Sequence, residues 1–265
     1  MGLGVRIGRG NTADIYVLGS EQILKVFRNP KLLDLERGIS TIIEELVACA
    51  PKFYGIVETD GLTGLAYERI LGTSMLEILI GNPDIAAEYG RQLAQLHARL
   101  HSIKATGRLQ SLKTRLAYTI SGIHHAEFEP LREAILNRLS ELPEGDHLCH
   151  GDFHPGNVLL SQRGPVVIDW MTAVCGPAQA DVARTIMILR HAVLPSDFSE
   201  VVIQSFDQLR TVLLQTYEAT YLELTGCNRQ ELAKWELPLM AARLTESIPE
   251  EEQRILLDIL HRQLN

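Results

Sequence analysis

HGDFHPGNVLLSQRGPVVIDW, residues 150–170, is dense in side chains that carry chemistry: His150, Asp152, His154, Asn157 and Asp169. Within it, VLL (158–160) and PVVI (165–168) are short apolar runs, and SQRG between them is a turn signal. Two strands joined by a turn make a hairpin whose open ends lie side by side. Asn157 precedes the first strand and Asp169 follows the second, so the hairpin brings an amide oxygen and a carboxylate together. Such hard oxygen donors suit Mg²⁺, which takes few protein ligands and completes its shell with phosphate oxygens and water. Asp152 lies five residues before Asn157, on a loop shaped by Pro155 and Gly156, where it is placed to accept a proton from an incoming hydroxyl. Base, first metal ligand, second metal ligand is the order that phosphoryl transfer needs, since the protein supplies positioning and charge neutralisation and little else. A competing reading takes His150, Asp152 and His154 as alternating ligands of zinc or iron in a hydrolase. Pro155 and Gly156 end any such strand at once, and that reading leaves Asn157 and Asp169 without a purpose.

Upstream, LGVRIG, DIYVLG and QILKVF read as three strands, with the turn-like RGNTA between the first two. Gly8 and Gly10, with Asn11 and Thr12 in the same turn, form a candidate phosphate contact, because glycine lets the backbone and its N–H groups come close to a ligand. The plain alternative is a hairpin turn. The loop fits neither a dinucleotide fingerprint, since a strand follows it, nor a Walker loop, since no Gly-Lys-Ser/Thr follows. Lys25 stands inside the apolar strand ILKVF. A lysine there usually faces water; if instead the strand lies under the glycine turn, Lys25 reaches a nucleotide phosphate, and Ile23, two residues earlier on the same face, covers an adenine ring. PKLLDLERGISTIIEELVACA then has helical spacing, and FYGIVETDGLTGLAYERI reads as two strands around Asp60 and Gly61. After Gly72 the pattern turns helical, with one β insertion from about His147 to Asp169. The predicted class is α+β: an antiparallel-sheet unit with one helix over 1–70, and a mostly helical unit over 71–265.

These segments resemble the aminoglycoside phosphotransferase and choline kinase family, the small-molecule branch of the protein-kinase-like fold. HGDFHPGN resembles its catalytic loop, VIDW its metal segment, and IGRGNTADIY with ILKVF its nucleotide loop and lysine strand. The order agrees over essentially the whole chain. The resemblance implies two lobes with a hinge near YERILG, ATP or GTP as phosphoryl donor, and Mg²⁺ on Asn157 and Asp169. It implies Asp152 as catalytic base, His150 as the residue orienting its loop, and Lys25 on the α/β phosphates. It also implies adenine against the backbone from Glu68 to Ile70, and Asp181 of GPAQADVART as a brace for the catalytic loop. The lysine's helical partner is Glu36, or Glu44 or Glu45 if the helix lies differently. Two departures stand out. Ala13 occupies the third glycine position, and Asp169 is followed by Trp170 and Met171 rather than Phe-Gly, which speaks against a regulated protein kinase.

The chain has 265 residues, 46% of them hydrophobic, enough for a sizeable core. Its four cysteines form no C-x-x-C pair, which suits free thiols in a reducing compartment. MGLGVRIGRG lacks the apolar run of a signal peptide, and Arg6 breaks the myristoylation pattern, so a soluble cytoplasmic protein is predicted. A net charge of −8 does not suit nucleic acid. Residues 1–70 carry eight basic and nine acidic side chains, so nearly all of the excess lies in 71–265; solubility alone is the plainer reading of the charge, while a preference for a cationic acceptor would reside there. Glu246 and Glu250 are the candidates to hold its ammonium groups, against the simpler reading of a helix N-terminus. His97 and His101 are four apart on a helix and read as packing histidines without a third metal ligand. A nucleotide-binding protein of the same fold without transfer activity is the alternative function.

Overall fold

The computed structural model describes residues 2–193 and 200–264, without the side chains of 200–205, 207 and 208. Along the chain the N-terminal strands are β1 (Leu3–Arg9), β2 (Ala13–Leu18) and β3 (Gln22–Phe27), followed by helix α1 (Lys31–Leu46) and strands β4 (Phe53–Thr59), β5 (Leu62–Glu68) and β6 (Gly72–Ser74). Helices α2 (Met75–Gly81), α3 (Ala86–His101), α4 (Leu112–Ser121) and α5 (Arg132–Glu141) come next. Strands β7 (His147–Cys149), β8 (Val158–Ser161), β9 (Gly164–Val167) and β10 (Val174–Gly176) precede α6 (Ala178–His191), α7 (Glu200–Thr225), α8 (Arg229–Ala233), α9 (Glu236–Arg243) and α10 (Glu250–Leu264).

Contacts divide the chain into two compact units. The first comprises Met1–Met75 and Gly156–Ala173, and the second Leu76–Pro155 and Val174–Asn265. The first unit is built on a five-stranded antiparallel sheet in the order β1-β2-β3-β5-β4. Asp60 (φ 49°) and Gly61 (φ 77°) both take positive φ, the conformation that a two-residue hairpin between β4 and β5 demands. Leu18, Leu24 and Ala66 pack in one buried cluster, and Ala13, Phe27 and Leu65 in another. Each fully buried leucine here contributes roughly 1.5–3 kcal/mol. Gly64 allows β5 to press against β3, because a Cβ at that position would lie 2.5 Å from the Lys25 carbonyl oxygen.

The hairpin β8–β9 belongs to this same unit, pairing Val158 with Val167 and Ser161 with Gly164. The structure adds two strands that the sequence pattern does not disclose: β6, which pairs with β8, and β10, which pairs with β7. Each is only three residues long, too short to show a period of two.

In the second unit α3 packs along α7. Gly90 permits this approach, since a Cβ there would meet the Leu213 carbonyl oxygen at 2.8 Å. The crossing is locked by two parallel rungs, His97 to Tyr217 and His101 to Tyr221, each spanning 2.7 Å and each four residues apart on both helices. No helix among the described residues is long and apolar enough to cross a membrane.

Candidate active site

In the first unit, two of the sequence-predicted residues, Glu36 and Asp169, meet on Lys25. Its register on β3, opposite Ile15 of β2 and Leu65 of β5, puts the side chain on the face covered by α1. Lys25 is 8% exposed, and its Nζ donates to Glu36 Oε1 at 2.8 Å and to Asp169 Oδ1 at 3.0 Å. Burial alone would lower its pKa, but the carboxylates of Asp169 and Glu36 outweigh it and the pKa is raised. Among the three candidate partners it is Glu36 that pairs with the lysine, whereas Glu44 Oε1 accepts from the Phe53 N–H. Glu36 Oε1 also accepts from the Tyr67 hydroxyl at 2.9 Å, and Glu36 Oε2 is buried without a partner. Ile23 is half-buried on the same strand and faces Tyr67 across the ladder.

The open ends of the β8–β9 hairpin meet as the sequence predicts. Ile168 N–H donates to the Asn157 carbonyl at 3.0 Å, which ties the two ends together and leaves Asp169 as the next residue. Asp169 takes the left-handed conformation (φ 60°, ψ 61°), and its side chain is 46% exposed. Such a backbone in a non-glycine residue costs free energy and persists where the surroundings hold it, here by the Lys25 ion pair. Asp169 Oδ2 accepts from no described residue. An amide oxygen at Asn157 and an available carboxylate oxygen at Asp169 are the hard donors that Mg²⁺ takes, so the residues fit that ion.

The glycine turn is braced by an arginine that sequence reasoning missed. Arg28 Nη1 donates to the carbonyls of Gly10 (2.8 Å) and Asn11 (2.7 Å), and Arg28 N–H donates to the Thr12 carbonyl at 3.0 Å. Gly10 N–H closes the turn on the Ala13 carbonyl at 2.9 Å. The N–H groups of Asn11 and Thr12 donate to no described residue, which leaves them for a ligand's anionic oxygens. Gly8 lies within β1, opposite Ile15. At the other predicted nucleotide contact, the Glu68 N–H is held by the Lys52 carbonyl, and Arg69 N–H by that of Glu21, while Ile70 is half-buried. The Glu68 carboxylate pairs with Arg163 at 3.0 Å.

In the second unit Asp152 is 28% exposed in its side chain and lies between two nitrogen bases: His154 Nε2 at 3.6 Å and Arg184 Nη2 at 3.7 Å. Burial would raise its pKa, but His154, Arg184 and His150 together hold it well below the usual carboxylate range. Asp152 is therefore ionised at neutral pH. Its backbone N–H donates to His150 Nδ1 at 3.2 Å, so the buried His150 shapes the loop. Asp181 braces that loop directly, accepting from the N–H groups of His150 (2.6 Å) and Gly151 (2.8 Å). Thr185 Oγ1 adds a bond to the Phe153 carbonyl at 2.8 Å.

His97 and His101 do have a third partner. Both Nε2 atoms meet Asp181 Oδ2, at 3.0 and 3.3 Å, and the three ligand atoms lie within 4.8 Å of one another. Only an anionic Asp181 can accept from both rings, so both histidines carry the proton on Nε2 and accept the tyrosine hydroxyls on Nδ1. Every ring nitrogen is thus matched without a metal. Burial, with the nearby His101, pushes the His97 pKa down to about 3, and these donors hold Asp181 well below its ordinary value against the effect of burial. The sequence hid this cluster because Asp181 is 80 residues from His101. Among the described residues His150, Asp152 and His154 are not a group whose ligand atoms lie together in this way.

Glu246 does not present a free carboxylate. It accepts from Arg184 Nη2 at 2.6 and 2.9 Å and from Arg243 Nη1 at 2.5 Å. Glu250, at the start of α10, is exposed.

A family model described as "Phosphotransferase enzyme family" (APH) matches residues 4–227. The chain belongs to that family. Among curated proteins none matches its sequence. Among solved structures, the apo form of a thermostable mutant of aminoglycoside phosphotransferase APH(4)-Ia superposes with TM-score 0.68 at 16% identity, over 99% of this chain and 94% of that one. A ternary complex of a further thermostable APH(4)-Ia mutant with AMP-PNP and hygromycin B gives 0.68 at 14%, over 99% and 93%. The GDP and kanamycin complex of APH(2")-IIia gives 0.57 at 16%, over 97% and 91%. This member of the phosphotransferase family therefore has the kinase-like fold of these enzymes, an antiparallel-sheet N-terminal lobe followed by a helical C-terminal region.

Proposed function

We propose that the protein is a small-molecule O-phosphotransferase that moves the γ-phosphoryl group of ATP or GTP to a substrate hydroxyl. The observation that carries this reading is the Lys25 ammonium held between Glu36 and Asp169, at the end of the hairpin that begins at Asn157. Asp152 stands five residues upstream as an ionised carboxylate. Residues 1–70 bind the nucleotide and 71–265 carry the acceptor pocket. The N–H groups of the turn over 8–12 and the Lys25 ammonium hold the phosphates, while Ile23 and the backbone from Glu68 to Ile70 hold the base. Asn157 and Asp169 would hold Mg²⁺, which supplies charge neutralisation at the phosphates. Asp152 orients the acceptor hydroxyl and takes its proton as the oxygen attacks phosphorus, and His150 keeps that loop in place. The nucleotides and the hygromycin B or kanamycin captured in structural neighbours support a nucleotide donor and a small-molecule acceptor. A cytoplasmic location belongs to the same reading; it is supported by the four cysteines, all of them free thiols.

The deciding experiment is nucleoside-diphosphate release from Mg-ATP and Mg-GTP across a panel of hydroxylated acceptors. Release that depends on one acceptor and falls by at least about 10³-fold in Asp152→Ala is expected. Full activity in that variant would overturn the assignment of Asp152. Tight nucleotide binding with no release for any acceptor would favour a binding protein of the same fold.

A further inference from the structure

The turn between β1 and β2 owes its shape to the chain that returns beside it. The register that sets Ala13 opposite Phe27 carries Arg28, the next residue, alongside the turn, where its N–H closes on the Thr12 carbonyl at 3.0 Å. From there the side chain reaches back to two more carbonyls. Nη1 carries two N–H donors, and it stands 2.8 Å from the Gly10 oxygen and 2.7 Å from the Asn11 oxygen. Nη2 donates to Asp14 Oδ1 at 3.0 Å, which fixes the plane of the guanidinium and offsets its charge. Arg6 Nη1 stands 3.8 Å from the same oxygen. One planar fork thus grips two adjacent carbonyls and a carboxylate, a geometry that a lysine ammonium cannot reproduce. The grip dictates direction. In a trans peptide unit the C=O and the following N–H point opposite ways, and no described peptide is cis. Drawing the Gly10 and Asn11 carbonyls to one nitrogen therefore turns the N–H groups of Asn11 and Thr12 away from Arg28, both to the same side. Successive N–H groups that face one side make a concavity for anionic oxygens. The Gly10 N–H is turned the other way and closes on the Ala13 carbonyl at 2.9 Å.

We infer that Arg28 is a positioning residue for the nucleotide phosphates, acting through the carbonyls of the turn: it presets the Asn11 and Thr12 N–H groups to receive phosphate oxygens. Without the guanidinium both peptide units could rotate, and the ligand would have to order them on binding, at a cost in affinity. The phosphate contact rests on the phosphotransferase reading; the ordering of the turn by Arg28 does not. The Arg28 side chain is 40% exposed and belongs to neither buried cluster of the sheet, so its replacement probes the turn and leaves the fold in place.

Two measurements on the full chain test this, and neither needs an acceptor. The first is amide hydrogen exchange of the ligand-free protein. Arg28→Gln should speed exchange at Gly10 by about tenfold and leave the β3 amides from Ile23 to Lys25 unchanged. Unchanged exchange at Gly10 would overturn the ordering role. The second is a binding titration with ATP, ADP and adenosine, and with their guanine counterparts. Arg28→Gln should weaken the triphosphate by about tenfold and the nucleoside by less than about twofold, because only the phosphates meet the turn. Arg28→Lys, which keeps the charge and lacks the fork, should recover only part of the loss. An unchanged triphosphate affinity, equal weakening of triphosphate and nucleoside, or full recovery by lysine would overturn the positioning role while nucleotide binding itself stands. If neither triphosphate binds the wild type, the phosphotransferase reading fails and takes the phosphate role of Arg28 with it, whatever Gly10 shows.

Discussion

Lys25 answers to two carboxylates, and the consequences of removing it depend on which one is considered. Asp169 is half exposed and water can solvate it, whereas Glu36 is 3% exposed and has only the Tyr67 hydroxyl left as a donor. Burial already pushes the Glu36 pKa up. Replacing Lys25 by methionine, which keeps the volume and deletes the charge, should therefore destabilise the protein by about 3 kcal/mol at pH 7.5, the cost of leaving one buried ion uncompensated. The double variant Lys25→Met/Glu36→Gln should regain most of that loss in chemical denaturation, since neither partner then carries charge. Nucleotide affinity should stay low in both. A double variant no more stable than Lys25→Met would mean that the pair does not stabilise the fold through its charges.

At the scale of elements, the site depends on places where backbones come closer than side chains allow. Gly64 lets β5 lie against β3 beside Lys25, and its missing Cβ would stand 2.5 Å from the Lys25 carbonyl. Gly64→Val should push the strands apart, cost about 2–4 kcal/mol, and raise the KM for nucleotide by displacing Lys25. A thermal scan and a nucleotide titration check both parts, and an unchanged KM would show that β3 keeps its place. This dependence was hidden in the sequence, where Gly64 is one more glycine near a hairpin. The hairpins themselves were legible, because Asp60 with Gly61 and SQRG punctuate runs of alternating or apolar residues, and so was the meeting of Asn157 with Asp169. Glu36 was legible only as one of three glutamates on α1, because choosing among them requires the rotation of the helix against the sheet. Arg184 and Arg28 carried no pattern at all; each acts through backbone carbonyls brought near by tertiary structure.

At the scale of the whole molecule, the cluster of His97, His101, Tyr217, Tyr221 and Asp181 ties three helices of the second unit to the loop that carries Asp152. Its integrity requires a neutral His97, so it makes the fold acid-sensitive. His97 has a pKa of about 3 in the folded protein against 6.5 ordinarily. The unfolded chain therefore binds the proton first, and stability falls as pH drops from above 6.5 towards 3. At pH 5.5 this one group should have cost about 1.4 kcal/mol relative to pH 7.5. His191, pushed down to about 4 by burial and by Arg190 and Arg210, acts in the same direction with less weight because it is partly exposed. Asp181 contributes only at lower pH, since its stabilisation is lost below the ordinary carboxylate range. Unfolding free energies measured between pH 7.5 and 5.5 should thus decline in the wild type. In His97→Gln, less stable overall, the decline should be shallower by about the His97 share. Parallel slopes in the two proteins would mean that the cluster tolerates a charged His97, and that the proton arrangement assigned to it is wrong.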